Sequence, residues 1–301
     1  MRLALPSAAH DELMPALVEY APAKINLTLR VGSRRDDGYH DIESLVVFAQ
    51  ARDRVSLVPG EPLSLSLRGP AAATAGAVDD NLVLKAVHAL DTEIKGLALG
   101  HFELIKELPV AAGLGGGSAD AAAALRLLAR ANNLPLDDQR LLAAARATGA
   151  DVPVCLHPRP RVMRGLGDIL SEPLHLPPLQ AVLVHPGVPV STKDVFATFD
   201  SLVEARSLPP STDIPQSAEG LLAYLQTRGN DLEVAAISLQ PVIERVLLTL
   251  RELPGCSFAR MSGSGAACFG LFDRGSAAGA ARAIKAKQPH WWVCATVLGS
   301  G

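Results

Sequence analysis

The stretch Pro109-Val-Ala-Ala-Gly-Leu-Gly-Gly-Gly-Ser118-Ala-Asp120 runs without a break into an alanine-rich amphipathic pattern. Ala121, Ala124, Leu125 and Leu128 fall at i, i+3, i+4 and i+7, so a helix is expected from about Ser118 to Arg130. Asn132, Asn133 and Pro135 end it. Glycines let a backbone approach an anion closely and expose successive N–H groups. The helix behind them adds the unpaired amides of its first turn and the positive end of its dipole. Such a loop should cradle a polyphosphate. It lacks the GK[ST] ending of a P-loop and does not follow the GxGxxG dinucleotide pattern.

Working outward, Lys24 to Val31 alternates without a fault. Lys24, Asn26, Thr28 and Arg30 point one way and Ile25, Leu27, Leu29 and Val31 the other, as in a half-buried strand. Further strands are expected at 42–49, 55–58, 63–67 and 102–105, with Pro and Gly supplying the turns. Asp80 or Asn81 caps a helix to about Leu90, and another helix spans about 137–147. The Pro-rich segment 153–160 and the turn 165–167 separate these from a buried strand at 181–185. A loop at 207–216 then leads to a long helical stretch from Asp231 to about Leu253. Strands near 256–261, 266–272 and 291–297 and a helix at 275–287 finish the chain. Early strands run together instead of alternating with helices, so an α+β fold is expected and a doubly wound parallel sheet is not.

The 301 residues are enough for two domains, with a boundary near 170 that separates 1–170 from 171–301. Hydrophobic residues are 49% and charged residues 20%, which excludes a disordered or fibrous chain. A net charge of −3 argues against nucleic acid as a partner. Four cysteines, Cys155, Cys256, Cys268 and Cys294, show no CxxC spacing and read as reduced thiols. The first 20 residues carry Asp11, Glu12 and Glu19 and lack an apolar core, unlike a signal or transit peptide. No run approaches 18 apolar residues, so no membrane span is expected and the cytoplasm is the default location.

Three other features bear on chemistry. A second glycine cluster, Met261-Ser-Gly-Ser-Gly-Ala266, lies between two expected strands; it reads as a hairpin-like turn or as a loop that closes over phosphates. Lys24 and Asn26 share the polar face of the first strand, as surface residues or as the wall of a cleft. Asp151, in Gly149-Ala-Asp-Val-Pro153, reads equally as a helix cap or as a carboxylate with chemistry to do. Phosphoryl transfer to an alcohol wants a carboxylate to accept the hydroxyl proton and a cation to orient the nucleophile.

Five segments taken together resemble the GHMP small-molecule kinases. They are PVAAGLGGGSADAA, APAKINLTLRV, DDGYHDIESLV, GADVPVCL and MSGSGAACF, in order from about Ala21 to Phe272. The resemblance is closest to the branch that acts on cytidine-diphosphate-linked methylerythritol. It implies an N-terminal domain like ribosomal protein S5 domain 2, a ferredoxin-like C-terminal domain and an active site in the cleft between them. It also implies ATP-dependent phosphorylation of the 2-hydroxyl of 4-diphosphocytidyl-2-C-methyl-D-erythritol in non-mevalonate isoprenoid synthesis, with Mg2+ as cofactor. Asp151 then matches the catalytic base and Lys24 the lysine that works with it. Pro109, Val110, Ala111, Ala112, Gly113, Leu114, Gly115, Gly116, Gly117, Ser118 and Ala119 match the ATP phosphate loop, with the Ser118 hydroxyl a magnesium contact. Asn26 belongs with the substrate, and Tyr39, His40 and Phe196 match positions around the cytidine ring. The alternatives are a mevalonate- or homoserine-kinase-like enzyme, against which Gly38-Tyr39-His40 counts, and a nucleotide sensor without turnover.

Overall fold

The computed structural model describes residues 16–203, 208 and 214–299. Most of the expected loop at 207–216, and the first 15 residues, lie outside the described residues. Leu17–Asn26 forms β1, Arg30–Arg34 β2 and His40–Pro59 β3. The alternating stretch from Lys24 to Val31 is therefore two strands that both pair with β3, separated by an irregular stretch at 27–29. Its polar positions are not solvated either, because Lys24, Asn26 and Thr28 are all buried. Alternation records two different faces, and here a second layer covers the polar one.

The strands expected at 42–49 and 55–58 are one 20-residue strand. The charged run Arg52-Asp53-Arg54 suggests a break, but Asp53 is fully buried and its carboxylate is bonded, so the strand continues through it. β3 organises the molecule. It pairs antiparallel with β1, β2, β5 (Gly100–Ile105) and β6 (Arg161–Gly165), each along its own part of the length. β4 (Ser64–Arg68) adds parallel to β5, and β7 (Ile169–Leu170) pairs with β6 across the expected turn.

Four helices cover one face of this sheet: α1 (Leu82–Glu93), α2 (Gly116–Ala131), α3 (Gln139–Thr148) and α4 (Val152–Leu156). Asn81 caps α1, and Asp138 caps α3. α2 is buried from Ala119 to Ala129, and its alanines let it lie close to the strands. A larger residue there would overpack the layer at a cost of about 1–3 kcal/mol. α4 occupies the segment that reads as a Pro-rich separator. Pro153 stands in its first turn, where a missing N–H costs nothing.

The C-terminal half is built on β8 (Leu179–His185), β9 (Cys256–Met261), β10 (Cys268–Phe272) and β11 (Trp292–Leu298), in the order β11-β8-β10-β9. α5 (Thr192–Leu202), α7 (Glu233–Leu239), α8 (Val242–Arg251) and α9 (Ala277–Lys287) pack over it, and α6 (Ala218–Gln226) packs against the core shared by the two halves. The helical stretch from Asp231 to Leu253 is thus two helices, broken at Gln240–Pro241 because proline has no N–H to continue the ladder. α6 is an element the apolar pattern did not reveal. Leu298 of β11 pairs with Ala49 of β3 and joins the halves at one register position. A shared core from β1, β3, β8 and β10, with Ile25, Leu45, Leu183 and Phe269, fills the space between them. The mostly antiparallel sheet, with β4 its parallel strand and helices segregated by half, matches the α+β expectation.

Candidate active site

The glycine loop changes direction at three positive-φ residues, Ala111 (51°), Gly113 (76°) and Gly115 (60°), before α2 begins. Gly113 is forced by its neighbours as well as by φ. A Cβ there would lie 2.5 Å from the carbonyl oxygen of Ser262 and 2.8 Å from that of Gly265. The late glycine cluster is therefore packed directly against the first loop. Ser262 donates its hydroxyl to the Gly113 carbonyl at 3.0 Å, and the Ala267 N–H donates to Ala112 O at 2.8 Å. Asn230 steadies the same cluster by donating from its amide to Met261 O and Gly263 O. Of the two readings of the late cluster, the hairpin-like turn is the one seen, since Met261 of β9 pairs antiparallel with Cys268 of β10 and the cluster joins them.

Lys24 joins the loop to the reactive groups. Its backbone N–H donates to Leu114 O at 2.8 Å, and a Cβ on Gly115 would stand 3.0 Å from its own Cβ. The β1 register slips between Pro22 and Lys24, a bulge of the kind that re-aims a side chain. The Lys24 ammonium then meets Asp151 Oδ1 at 2.7 Å. Asp151 occupies the position before α4, but its side chain makes no capping bond. The cap reading fails because the carboxylate is turned to the lysine. The lysine side chain is 5% exposed and the carboxylate 36%, so the carboxylate is the more accessible member of the pair. Oδ2 has no partner among the described residues.

The remaining expected residues divide. Ser118 sits in the first turn of α2, half-buried, with no hydrogen-bond partner for its hydroxyl among the described residues. Asn26 is buried, bonds Ser44 Oγ through Nδ2 and leaves Oδ1 unpartnered, 3.4 Å from where a Gly263 Cβ would be. His40 stacks on Phe196 with centroids 5.3 Å apart. Its Nδ1 faces Gly32 O and its Nε2 faces Asp200 Oδ1, so both ring nitrogens are engaged. Tyr39 stands 65% exposed beside it.

Three residues were not picked out by sequence reasoning. Lys106 Nζ lies between Asp53 and Asp120, both within hydrogen-bond reach, and all three are buried. Lys106 is one of only seven lysines and stands three residues before Pro109. A scarce cation so close to the loop was the available signal.

Among the described residues no His, Cys, Asp and Glu cluster could hold a metal alone. No helix among the described residues is long and apolar enough to cross a membrane.

The chain is similar to known proteins. The family model for the GHMP kinases N terminal domain matches residues 81–159, and that for the GHMP kinases C terminal matches 214–290. A Methylorubrum extorquens protein named 4-diphosphocytidyl-2-C-methyl-D-erythritol kinase is 53% identical over 290 residues, covering 95% of this chain and all of the relative. One of the same name from Xanthobacter autotrophicus is 54% identical, covering 92% and 97%. The crystal structure of a 4-(cytidine 5'-diphospho)-2C-methyl-D-erythritol kinase superposes with a TM-score of 0.74 at 34% identity, over 95% of this chain and 100% of that one.

Proposed function

The chain belongs to the GHMP kinase family, and on that premise we propose how its own residues phosphorylate the 2-hydroxyl of 4-diphosphocytidyl-2-C-methyl-D-erythritol with ATP. The products are the 2-phosphate and ADP. The observation that carries this reading is the Lys24–Asp151 pair, held against the glycine loop by the bond from Lys24 N–H to Leu114 O.

The loop from Pro109 to Ala119 presents its backbone amides and the N-terminus of α2 to the phosphates. Asp151 accepts the proton of the attacking hydroxyl at Oδ2, since Lys24 occupies Oδ1. Lys24, behind the carboxylate, fixes its orientation and offsets negative charge on the transferring phosphoryl group. The Ser118 hydroxyl, which has no partner among the described residues, would hold Mg2+, and the ion would supply charge neutralisation for the phosphates. The His40–Phe196 stack and Tyr39 surround the cytosine, and Asn26 lies on the same strand as Lys24. The halves divide near residue 170 into an ATP-binding domain, 1–170, and a domain 171–301 that completes the substrate cleft. The enzyme works in the cytoplasm on small molecules.

Substrate choice tests this reading. ADP release should follow addition of the cytidine-linked alcohol and should be absent with mevalonate or homoserine. Turnover of mevalonate or homoserine in place of the cytidine compound would assign the site to another member of the family.

A further inference from the structure

α5 presents one stripe of side chains of which the reaction scheme uses only the middle member. Thr192, Phe196 and Asp200 stand at i, i+4 and i+8, so they lie one above another on the same face of the helix. Each has a partner outside α5. Thr192 Oγ1 meets Ser264 Oγ of the late glycine cluster at 2.8 Å. The Phe196 ring stacks on His40, and the Asp200 carboxylate accepts from His40 Nε2 at 3.1 Å. α5 therefore grips one imidazole twice, by its face and by its edge.

The far edge of that imidazole rests on β2, with Nδ1 2.9 Å from Gly32 O, and the Phe199 ring meets it edge-on at 6.1 Å. Stacking leaves a ring free to rotate in its own plane, whereas a hydrogen bond at a fixed ring atom removes that freedom. The His40 side chain is 5% exposed, so water competes little for the bond to Asp200. The turn that carries Tyr39 has its own frame: the Tyr39 N–H donates to Asp37 Oδ1, and its carbonyl accepts the Arg35 N–H. Arg34 adds a weaker link, donating from Nε to Gly38 O while its Nη1 lies 4.0 Å from Asp200 Oδ2. Arg34 is largely exposed, so this second contact contributes little. The bond from His40 to Asp200 is the directional tie between the Tyr39–His40 turn and the helix that carries Phe196.

We propose that Asp200 is a positioning residue of the pyrimidine pocket, fixing the His40 imidazole, and the Tyr39–His40 turn with it, against the Phe196 ring before a cytidine nucleotide arrives. The proposal rests on the reading of Tyr39, His40 and Phe196 as the surroundings of the cytosine. A pocket built in advance spares the ligand the cost of ordering it. Without the bond, the built arrangement becomes one of several; if it is populated about a tenth of the time, apparent affinity falls about ten-fold. Asp200 touches no reacting atom, so it acts on affinity for the cytidine ligand and leaves the transfer step alone.

Calorimetric titrations of the full chain with cytidine diphosphate and with ADP separate the two subsites. Asp200→Ala should weaken cytidine diphosphate about ten-fold and leave ADP unchanged. In turnover, the KM for the cytidine-linked alcohol should rise by the same factor, with kcat near the wild-type value. Asp200→Asn keeps an acceptor oxygen in place and should stand closer to wild type than Asp200→Ala does. Unchanged affinity for cytidine diphosphate in Asp200→Ala, an equal loss for ADP, or equal losses in Asp200→Ala and Asp200→Asn would each overturn the proposal. The Asp200 side chain is 30% exposed and its removal opens no core cavity, so the variant should fold; should it not, Asp200→Ser, too short to reach His40, takes its place. A wild-type chain that does not bind cytidine diphosphate would instead strike the cytidine reading itself, and the proposal with it.

Discussion

At the scale of single residues, the chemistry rests on side chains whose meaning changes once their surroundings are fixed. Phe196 reads from sequence as either a core ring or a base platform, and it is half-buried and stacked on His40. Stacking on an aromatic ring is worth about 1–3 kcal/mol per base. Phe196→Ala should therefore raise the KM for the cytidine-linked substrate by about ten-fold, since 1.4 kcal/mol is a factor of ten. The KM for ATP should stay near the wild-type value. A variant with weakened ATP use and normal use of the cytidine compound would mean the two nucleotide subsites are exchanged. Lys24 and Asp151 were legible as residue types, because phosphoryl transfer needs a cation and a carboxylate. Their contact spans 127 positions, and no periodicity reports on a distance of that kind. Lys106 was missed for the opposite reason. Its partners are an aspartate inside a strand and another inside a helix, where pattern reading expects solvated charge.

At the scale of elements, the glycine loop and α2 were legible to within two residues at the helix start, because glycine run, amphipathic stripe and closing asparagines all agree. The helices at Glu233–Leu239 and Val242–Arg251 were merged because their apolar periodicity continues across Pro241. The late loop was legible as a turn only; its contact with Gly113 depends on the two halves meeting. That contact is the place to test the loop. Gly113→Ala puts a methyl group against two carbonyl oxygens at a positive φ, where no flexible side chain can give way. The two loops must separate, and nucleotide affinity measured by calorimetry should fall by about ten-fold or more. Unchanged affinity would show that the late loop does not set the cradle.

At the scale of the whole molecule, the α+β class followed from strands that cluster early in the chain. The long shared β3 did not, because a buried charged segment looks like a turn until its partners are known. The same burial shapes the response to acid. His185 is buried, and burial pushes its imidazole down to about 4 from 6.5. A group held below its unfolded value contributes stability that is full above about 6.5 and is lost as pH falls toward about 4. Between pH 7 and 5 that loss amounts to about 2 kcal/mol. His185→Gln should lose correspondingly less between those pH values in urea titrations. The comparison with the variant separates His185 from Asp120, whose raised value works in the opposite direction. Equal losses in both proteins would remove His185 from the account. The central claim, however, is that Asp151, braced by Lys24 beside the phosphate loop, accepts the proton in the transfer. Turnover of ATP with the cytidine-linked alcohol by Asp151→Asn tests it most directly. The account predicts a fall of about 10²–10⁴-fold in kcat with ATP affinity preserved, whereas near-normal turnover would contradict it.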